Sequence, residues 1–421
     1  MTNQPAGWER VTLSEVCSVG KDKGIPSDTP SLPFIGMEHV ESDSGRVLQF
    51  AESLDYRSAS PRVQPGNVLY GRLRPYLNKV FVADCETFVS GEFIPLVVGE
   101  RIDSRFLMYR LLAPDFVSFA VGLNAGDRPR VKWPQIAEFP LVLPPLDEQR
   151  RIVATLEDHL SRLDSALASA ITATRKVDVW LNTSLQHLIT GLSNSAGERL
   201  ADLDDRIPQD WRWMRLDELA LTGSEGFKRG PFGSALTKSS FVPNGYKVYE
   251  QYCPINDDCS YGRYYISKDH FERLSAFAVS AGDFLVSGAG TLGRITQVPE
   301  SFEPGVINQA LLRLRIDRSV VDDEYFLWMF RSPFLQRKLL AGSPGTAMVN
   351  LKAVKDLKAI QVPLPPLWEQ KQLVGEIRNT VDSSRRLRSS VGSAKKRALQ
   401  LRRSILSSAF SGQLTKESPN V

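Results

Sequence analysis

Two stretches of the chain place apolar residues at helical spacing, and the same short segment opens both. In the first, Leu156, Leu160, Leu163, Leu167, Val177, Leu181 and Leu188 fall on one seam, with Ala170, Thr174 and Ser184 in the remaining slots. In the second, Ile377, Val381, Leu387, Val391, Ala394, Ala398, Leu401 and Ile405 form a weaker seam, whose small residues let a neighbouring helix come close. Pro144-Pro145-Leu146-Asp147-Glu148-Gln149 opens the first and Pro365-Pro366-Leu367-Trp368-Glu369-Gln370 the second, a gapless offset of 221 residues (144 to 365). No proline interrupts either run, and Gly191 and Gly412 are natural stops. Each run predicts a helix of about 45 residues, roughly 65 Å long. A lone exposed helix of that length with an apolar stripe is not self-sufficient. The economical arrangement packs the two antiparallel, as a coiled coil.

Charge fits that arrangement. From Arg378 to Arg403 the second helix carries nine Lys/Arg and one acid, Asp382. The first carries Glu157, Asp158 and Asp164 near its start, which an antiparallel pair sets near Lys395, Lys396 and Arg397. The alternative is a solvated basic face, and exposed pairs add little stability in any case.

The segments before the helices alternate and break like β-structure. Val68-Leu69-Tyr70, Lys79–Val82 and Phe93–Val98 are short apolar runs between Gly, Pro, Asn or Asp, and Phe284–Val286, Ile295–Val298 and Ala310–Leu314 parallel them. Each module adds one amphipathic helix, Ser104–Leu112 or Asp323–Arg331, and opens on a tryptophan segment at Trp8 or Trp211. The fold class expected is α+β: two β-rich modules alternating with two long helices, a pseudo-twofold internal repeat. The expected boundaries are a first module at 1–142, a helix at 143–192, a polar linker at 193–209, a second module at 210–362, a helix at 363–413 and a tail at 414–421.

Composition narrows the class. The 421 residues are 42% hydrophobic and 24% charged, ordinary for globular chains, and each half is long enough to bury a core. No apolar run approaches a membrane span and no secretion signal opens the chain, so a cytoplasmic protein with reduced cysteines is expected. The net charge of +4 permits a nucleic-acid partner without arguing for one.

Catalytic motifs are scarce. Gly288-Ala289-Gly290-Thr291-Leu292-Gly293 matches G-x-G-x-x-G, but a second β run follows it where a dinucleotide site needs a helix. It reads as a glycine turn between strands. Cys253, Cys259 and His270 lack an obvious fourth partner for zinc. No Walker A, H-E-x-x-H or amine-holding Asn/Asp-Pro-Pro-aromatic motif is present. No catalytic role, cofactor or metal is therefore expected in this chain.

The basic residues of the modules gather on turns. Arg72, Arg74, Lys79, Arg128, Arg130 and Lys132 do so in the first module, with Tyr76 among them. Lys228, Arg229 and the glycine-turn pair Thr291 and Arg294 do so in the second. Arginine on a loop suits bidentate contact to guanine or to phosphate, although any one of them alone reads equally as surface charge.

At this point the chain resembles the specificity (S) subunits of type I restriction–modification systems. The resemblance rests on Leu143–Gln149 and Leu364–Gln370, supported by Phe34–His39, Gly71–Lys79, Gly230–Ser234 and Gly290–Gly293, and covers essentially the whole chain. Trp368, where a polar or acidic residue is usual, and the arginine-rich second helix depart from the pattern. The resemblance implies that each module is a target recognition domain reading one half of a split double-stranded DNA site. It implies that the paired helices set the gap. It implies docking of two modification subunits, which carry S-adenosylmethionine and methylate adenine, and sometimes of a translocating restriction subunit. Pro144, Pro145, Leu146, Glu148, Gln149, Pro365, Pro366, Leu367, Glu369 and Gln370 are then the spacer and docking residues. An orphan S-like subunit of another defence complex, a self-contained methyltransferase and a plain coiled-coil scaffold are the competing readings.

Overall fold

A computed structural model describes residues 7–124, 126–192, 207–232, 235–340 and 353–412; most of the expected linker and all of the tail lie outside them. The chain divides into two compact units, one drawn from Met1–Thr172 with Val391–Val421 and the other from Ala173–Ser390. The division cuts through both long helices. Each unit therefore holds one module with part of each helix.

In the first unit, β1 (Glu9–Thr12) pairs antiparallel with the segment that precedes the long helix, setting Glu9 opposite Leu143. A four-stranded antiparallel sheet follows from β2 (Cys17–Val19), β3 (Val68–Gly71), β4 (Val80–Val82) and β5 (Phe93–Val98), in the order β2-β5-β3-β4. Strand alternation sends side chains to two cores. Val68, Tyr70, Val80, Ile94 and Leu96 pack on the helix α1 (Ser104–Leu112) through Phe106 and Leu107. Leu69, Phe81 and Phe93 face the other way, onto Ile35, Val40, Val63 and Val89. Burial on both faces is why these strands read as continuous apolar runs. The partner of β1 is β6 (Pro140–Leu143), which leads into α2 (Leu146–Thr190), a helix of 45 residues.

The second unit repeats the plan. Here β7 (Arg212–Arg215) pairs with the strand before the second long helix. The sheet comprises β8 (Phe227–Arg229), β9 (Phe284–Ser287), β10 (Ile295–Gln297) and β11 (Leu311–Leu314), in the equivalent order β8-β11-β9-β10. The helix α3 (Asp323–Arg331) covers one face through Tyr325, Phe326 and Met329. The strand β12 (Gln361–Leu364) then enters α4 (Leu367–Phe410), 44 residues long. The expected strands and helices are thus found in both modules, and Gly290 and Gly293, both with positive φ, form a turn between β9 and β10.

The long helices pack antiparallel. In the first unit Leu156 and Leu160 share a core with Leu406 and Ala409, and Arg402 donates to Asp164 at 2.8 Å. In the second unit Leu185 and Ile189 share one with Val374 and Ile377, and Arg388 pairs with Asp178 at 2.5 Å. Each unit thus has its own antiparallel register, set by Asp164 with Arg402 in the first and by Asp178 with Arg388 in the second.

Those registers correct two expectations. Leu387 and Leu401 are exposed rather than on the seam. A strict heptad from Ile377 and Val381 passes through Ser384, Arg388, Val391, Lys395, Ala398, Arg402 and Ile405, and the leucines fall one residue short of it, before Arg388 and Arg402. The acids of α2 also do not meet Lys395, Lys396 and Arg397. Asp164 pairs with Arg402 and Arg46, Glu157 with Arg105 of α1, and Asp158 with Arg162 on its own helix.

Candidate nucleic-acid interface and module–helix junction

The junction between module and helix is built identically twice. Asp103 caps α1, its carboxylate accepting from the N–H groups of Arg105 and Phe106, and Asp322 caps α3 through those of Glu324 and Tyr325. The N–H of Asp103 itself donates to Gln149 Oε1 at 2.8 Å, and that of Asp322 to Gln370 Oε1 at 2.8 Å. Gln149 Nε2 donates to the carbonyls of Arg101 (3.0 Å) and Pro144 (2.8 Å); Gln370 Nε2 donates to those of Val320 (3.1 Å) and Pro365 (2.9 Å). Both glutamine residues are 0% exposed. The last residue of the repeated segment is therefore a clamp from long helix to module, with no surface left for a partner. Pro145, Leu146 and Asp147, and Pro366, Leu367 and Trp368, keep accessible surface beside it.

Just outside each clamp sits an ion pair of reversed polarity. Arg105 of α1 meets Glu157 of α2 at 2.8 Å, whereas Glu324 of α3 meets Arg378 of α4. The Arg378 hydrogen bond holds the Glu324 carboxyl below its ordinary range.

The basic turns lie at one end of each four-stranded sheet. In the first unit Gly71 N–H donates to Lys79 O at 2.8 Å and Arg72 N–H to Glu92 O at 2.8 Å. In the second, Ser287 N–H donates to Arg294 O at 2.9 Å and Gly288 N–H to Ala310 O at 2.8 Å. The two turns are thus equivalent, with Lys79 matching Arg294. The segment carrying Arg128 and Arg130 is strapped onto the first turn: Arg74 N–H donates to Pro129 O at 2.8 Å and Val131 N–H to Arg72 O at 3.0 Å. Arg72, Arg74, Arg128, Arg130 and Lys132 are thereby brought to one place. Arg229, at the end of β8, shares a sheet row with Leu312, Val286 and Ile295, so it and Arg294 also stand at one sheet end.

The side chains differ in how free they are. Lys79 Nζ donates to Met37 O at 2.6 Å, and Arg130 forks onto Glu92 at 2.6 and 3.1 Å. That hydrogen bond holds the Glu92 carboxyl below its usual range. Lys228 lies over Phe277 and Arg229 over Phe232, which is itself 71% exposed. Among the described residues, the side chains of Arg72, Arg74, Arg128, Lys132 and Arg294 have no hydrogen bond or ion pair. The Nε atoms of Arg72 and Arg74 are buried without a partner, while their terminal nitrogens stay accessible. Tyr76 is exposed. Thr291 and Arg294 border a cleft of about 510 Å³ with Ile255, Asp257, Arg331 and Gln336. The loop residues Gly233 and Ser234 lie outside the described residues. The three suspected zinc residues do other work: Cys253 and Cys259 are in an apolar core, and a ring nitrogen of His270 sits 2.8 Å from the Ala235 carbonyl. Among the described residues no helix is long and apolar enough to cross a membrane.

Comparison with known proteins agrees with this repeat. Residues 5–173 match the family described as type I restriction modification DNA specificity domain. The chain is 27% identical to the type I restriction enzyme EcoBI specificity subunit of Escherichia coli over 94% of this chain and 88% of that one. It is 28% identical to the EcoDI specificity subunit of the same organism over 38% of this chain, about a third (36%) of that relative's length. In fold it resembles a chain from a structure of type I R-M complex assembly and conformational transition, with TM-score 0.77 and 21% identity over 98% of this chain and 99% of that one. It also resembles the HsdS subunit from Thermoanaerobacter tengcongensis, with TM-score 0.56 and 22% identity over 97% and 98%. With the motifs at 143–149 and 364–370, the duplicated modules and the antiparallel helices, the chain is similar over nearly its whole length to specificity subunits of type I restriction–modification systems.

Proposed function

We propose that each module reads one half of a split double-stranded DNA target and that the paired helices set the gap between the halves. The observation that carries this is the same sheet end, in both modules, bearing basic side chains that make no hydrogen bond or ion pair among the described residues: Arg72, Arg74, Arg128 and Lys132 in one, Arg294 in the other. Unpaired arginine and lysine on rigid turns supply phosphate contacts and the forked donors that major-groove guanine accepts. Tyr76, Thr291 and the Arg229–Phe232 pair add contacts at the same ends. Lys79, Arg130 and Lys228 support these turns from within and act on DNA mainly through their charge.

The chain itself performs no catalysis in this reading. Modification subunits dock on the accessible parts of the two repeated segments, at Pro145, Leu146 and Glu148 and at Pro366, Leu367 and Glu369, whereas Pro144 and Pro365 are buried beside the glutamine clamps and hold the segments in place. They bring the S-adenosylmethionine and the methyl transfer; two such subunits match two segments, and a restriction subunit joins through them.

The test is methylation by the complex with its modification subunit on a DNA library randomised at both half-sites. Arg128→Ala with Lys132→Ala should weaken one half-site, and Arg294→Ala the other. Each lost phosphate contact should lower the salt-dependence slope by about one. Methylation without any split-site preference would end this reading.

A further inference from the structure

The end of α4 is wired directly into the recognition turn of the first module; among the described residues the second module's turn has no such direct bond to a long helix, α2 reaching that module instead through Gln186, which accepts from Arg337 at 2.6 Å. Arg402 is 7% exposed. Its Nη1 donates to Asp164 of α2 at 2.8 Å, its Nε to the Asp43 carbonyl at 2.9 Å and its Nη2 to the Ser44 carbonyl at 3.4 Å. Asp43, with φ of 59°, is held from its other side by Asn78. Its N–H donates to Asn78 O at 3.0 Å, and Asn78 Nδ2 donates to Asp43 Oδ1 at 2.7 Å and to Leu112 O at 3.2 Å. Asn78 is buried and has φ of 45°, a left-handed conformation an unbranched polar residue tolerates when its side chain is bonded. It closes the turn that carries Arg72, Arg74 and Tyr76.

In the second module the equivalent left-handed residue is Gly293, φ 69°, which has no side chain to bond. Its carbonyl is held instead by Gln336 Nε2 at 3.0 Å, from within the same module. A step of 221 residues back from Arg402 reaches Leu181, an apolar residue.

We infer that Arg402 is a positioning residue for reading the first half-site alone, acting through Asp43 and Asn78 on the arginine turn. The inference rests on the DNA reading proposed above. Arg402 touches no DNA; it fixes where Arg72 and Arg74 stand. A lysine at 402 keeps the charge facing Asp164 but cannot reach both carbonyls with one amine, so it separates helix pairing from turn positioning.

The experiment compares wild type, Arg402→Lys, Arg402→Ala and Asn78→Gly as full-length chains assembled with the modification subunit, on the same randomised library. The half-site read by the first module is the one that Arg128→Ala disturbs. In all three variants discrimination against single-base changes in that half should fall about tenfold, a large share of what one base pair commands, with the other half unchanged. Asn78→Gly preserves the left-handed backbone and the helix packing, so it gives the answer even where Arg402→Ala assembles poorly. Equal losses at both halves, or none at either, would overturn the inference. A wild-type complex that prefers no sequence at either half would instead overturn the DNA reading beneath it.

Discussion

Replacing Gln149 by alanine tests the junction directly. The change strands three groups in a site closed to water: the Asp103 N–H and the carbonyls of Arg101 and Pro144. Three net hydrogen bonds at about 1 kcal/mol each, with a small added penalty for the space left behind, sum to about 3–5 kcal/mol. That is a large part of the roughly 5–15 kcal/mol that holds a domain folded. Gln149→Glu should do no better at neutral pH. Its carboxylate still accepts from Asp103 but faces two carbonyl oxygens it cannot donate to. Because two units share the chain, a single melting temperature is a poor readout, and peptide-resolved hydrogen exchange over 101–112 serves better. A loss of 3 kcal/mol appears there as exchange roughly 150-fold faster. The same change at Gln370 should act equally on 320–331 and leave 101–112 alone. Exchange within about twofold of wild type for Gln149→Ala, under 0.5 kcal/mol, would refute the clamp.

Other outcomes follow from the same contacts. The exposed Arg105–Glu157 pair should show coupling of no more than about 0.5 kcal/mol in a double-mutant cycle, and the swapped pair Arg105→Glu with Glu157→Arg, which copies the polarity of Glu324–Arg378, should restore it. The Glu92 carboxyl is held low by Arg130, so the strap it secures is fully stable above pH 4.5 and loosens as pH falls through the lower folded value. Exchange at the Arg74 and Val131 amides should report this, and Glu92→Gln should be flat with pH. Among the thiols, a maleimide at neutral pH should label exposed Cys85 first and spare Cys17, whose pKa burial pushes up to about 12; peptide mass spectrometry reading the reverse order would contradict the packing.

The sequence reveals what repetition and periodicity encode. Strands such as Val68–Tyr70 and Phe284–Val286 and the helix openings at 144 and 365 stand out because apolar runs and prolines act locally. Helix partners are less legible. The seam of α4 carries Ser384 and Arg402 in buried slots and Arg388 against Asp178, so hydrophobicity alone selects Leu387 and Leu401 instead, each one residue before a seam arginine. The glutamine clamp escapes for a related reason: a buried amide looks like any surface polar residue. A signal does exist, since an aspartate at a helix start precedes each glutamine by 46 or 48 residues. Among the basic residues, nothing in the sequence separates Arg128, left free, from Arg130, engaged by Glu92 some 38 positions earlier.

The way the units are cut from the chain bears on how it is made. The second, Ala173–Ser390, is continuous and is complete once its last residue leaves the ribosome. Most of the first is synthesised before the second, but it needs Val391 onward to finish its core, where Leu406, Ala409 and Phe410 pack beside Leu156 and Phe106. At about 5–20 residues per second, the first module waits on the order of ten seconds or more for its closing helix. During that wait its apolar helix face is uncovered, so the module made before the other is sealed after it, and early termination leaves it open.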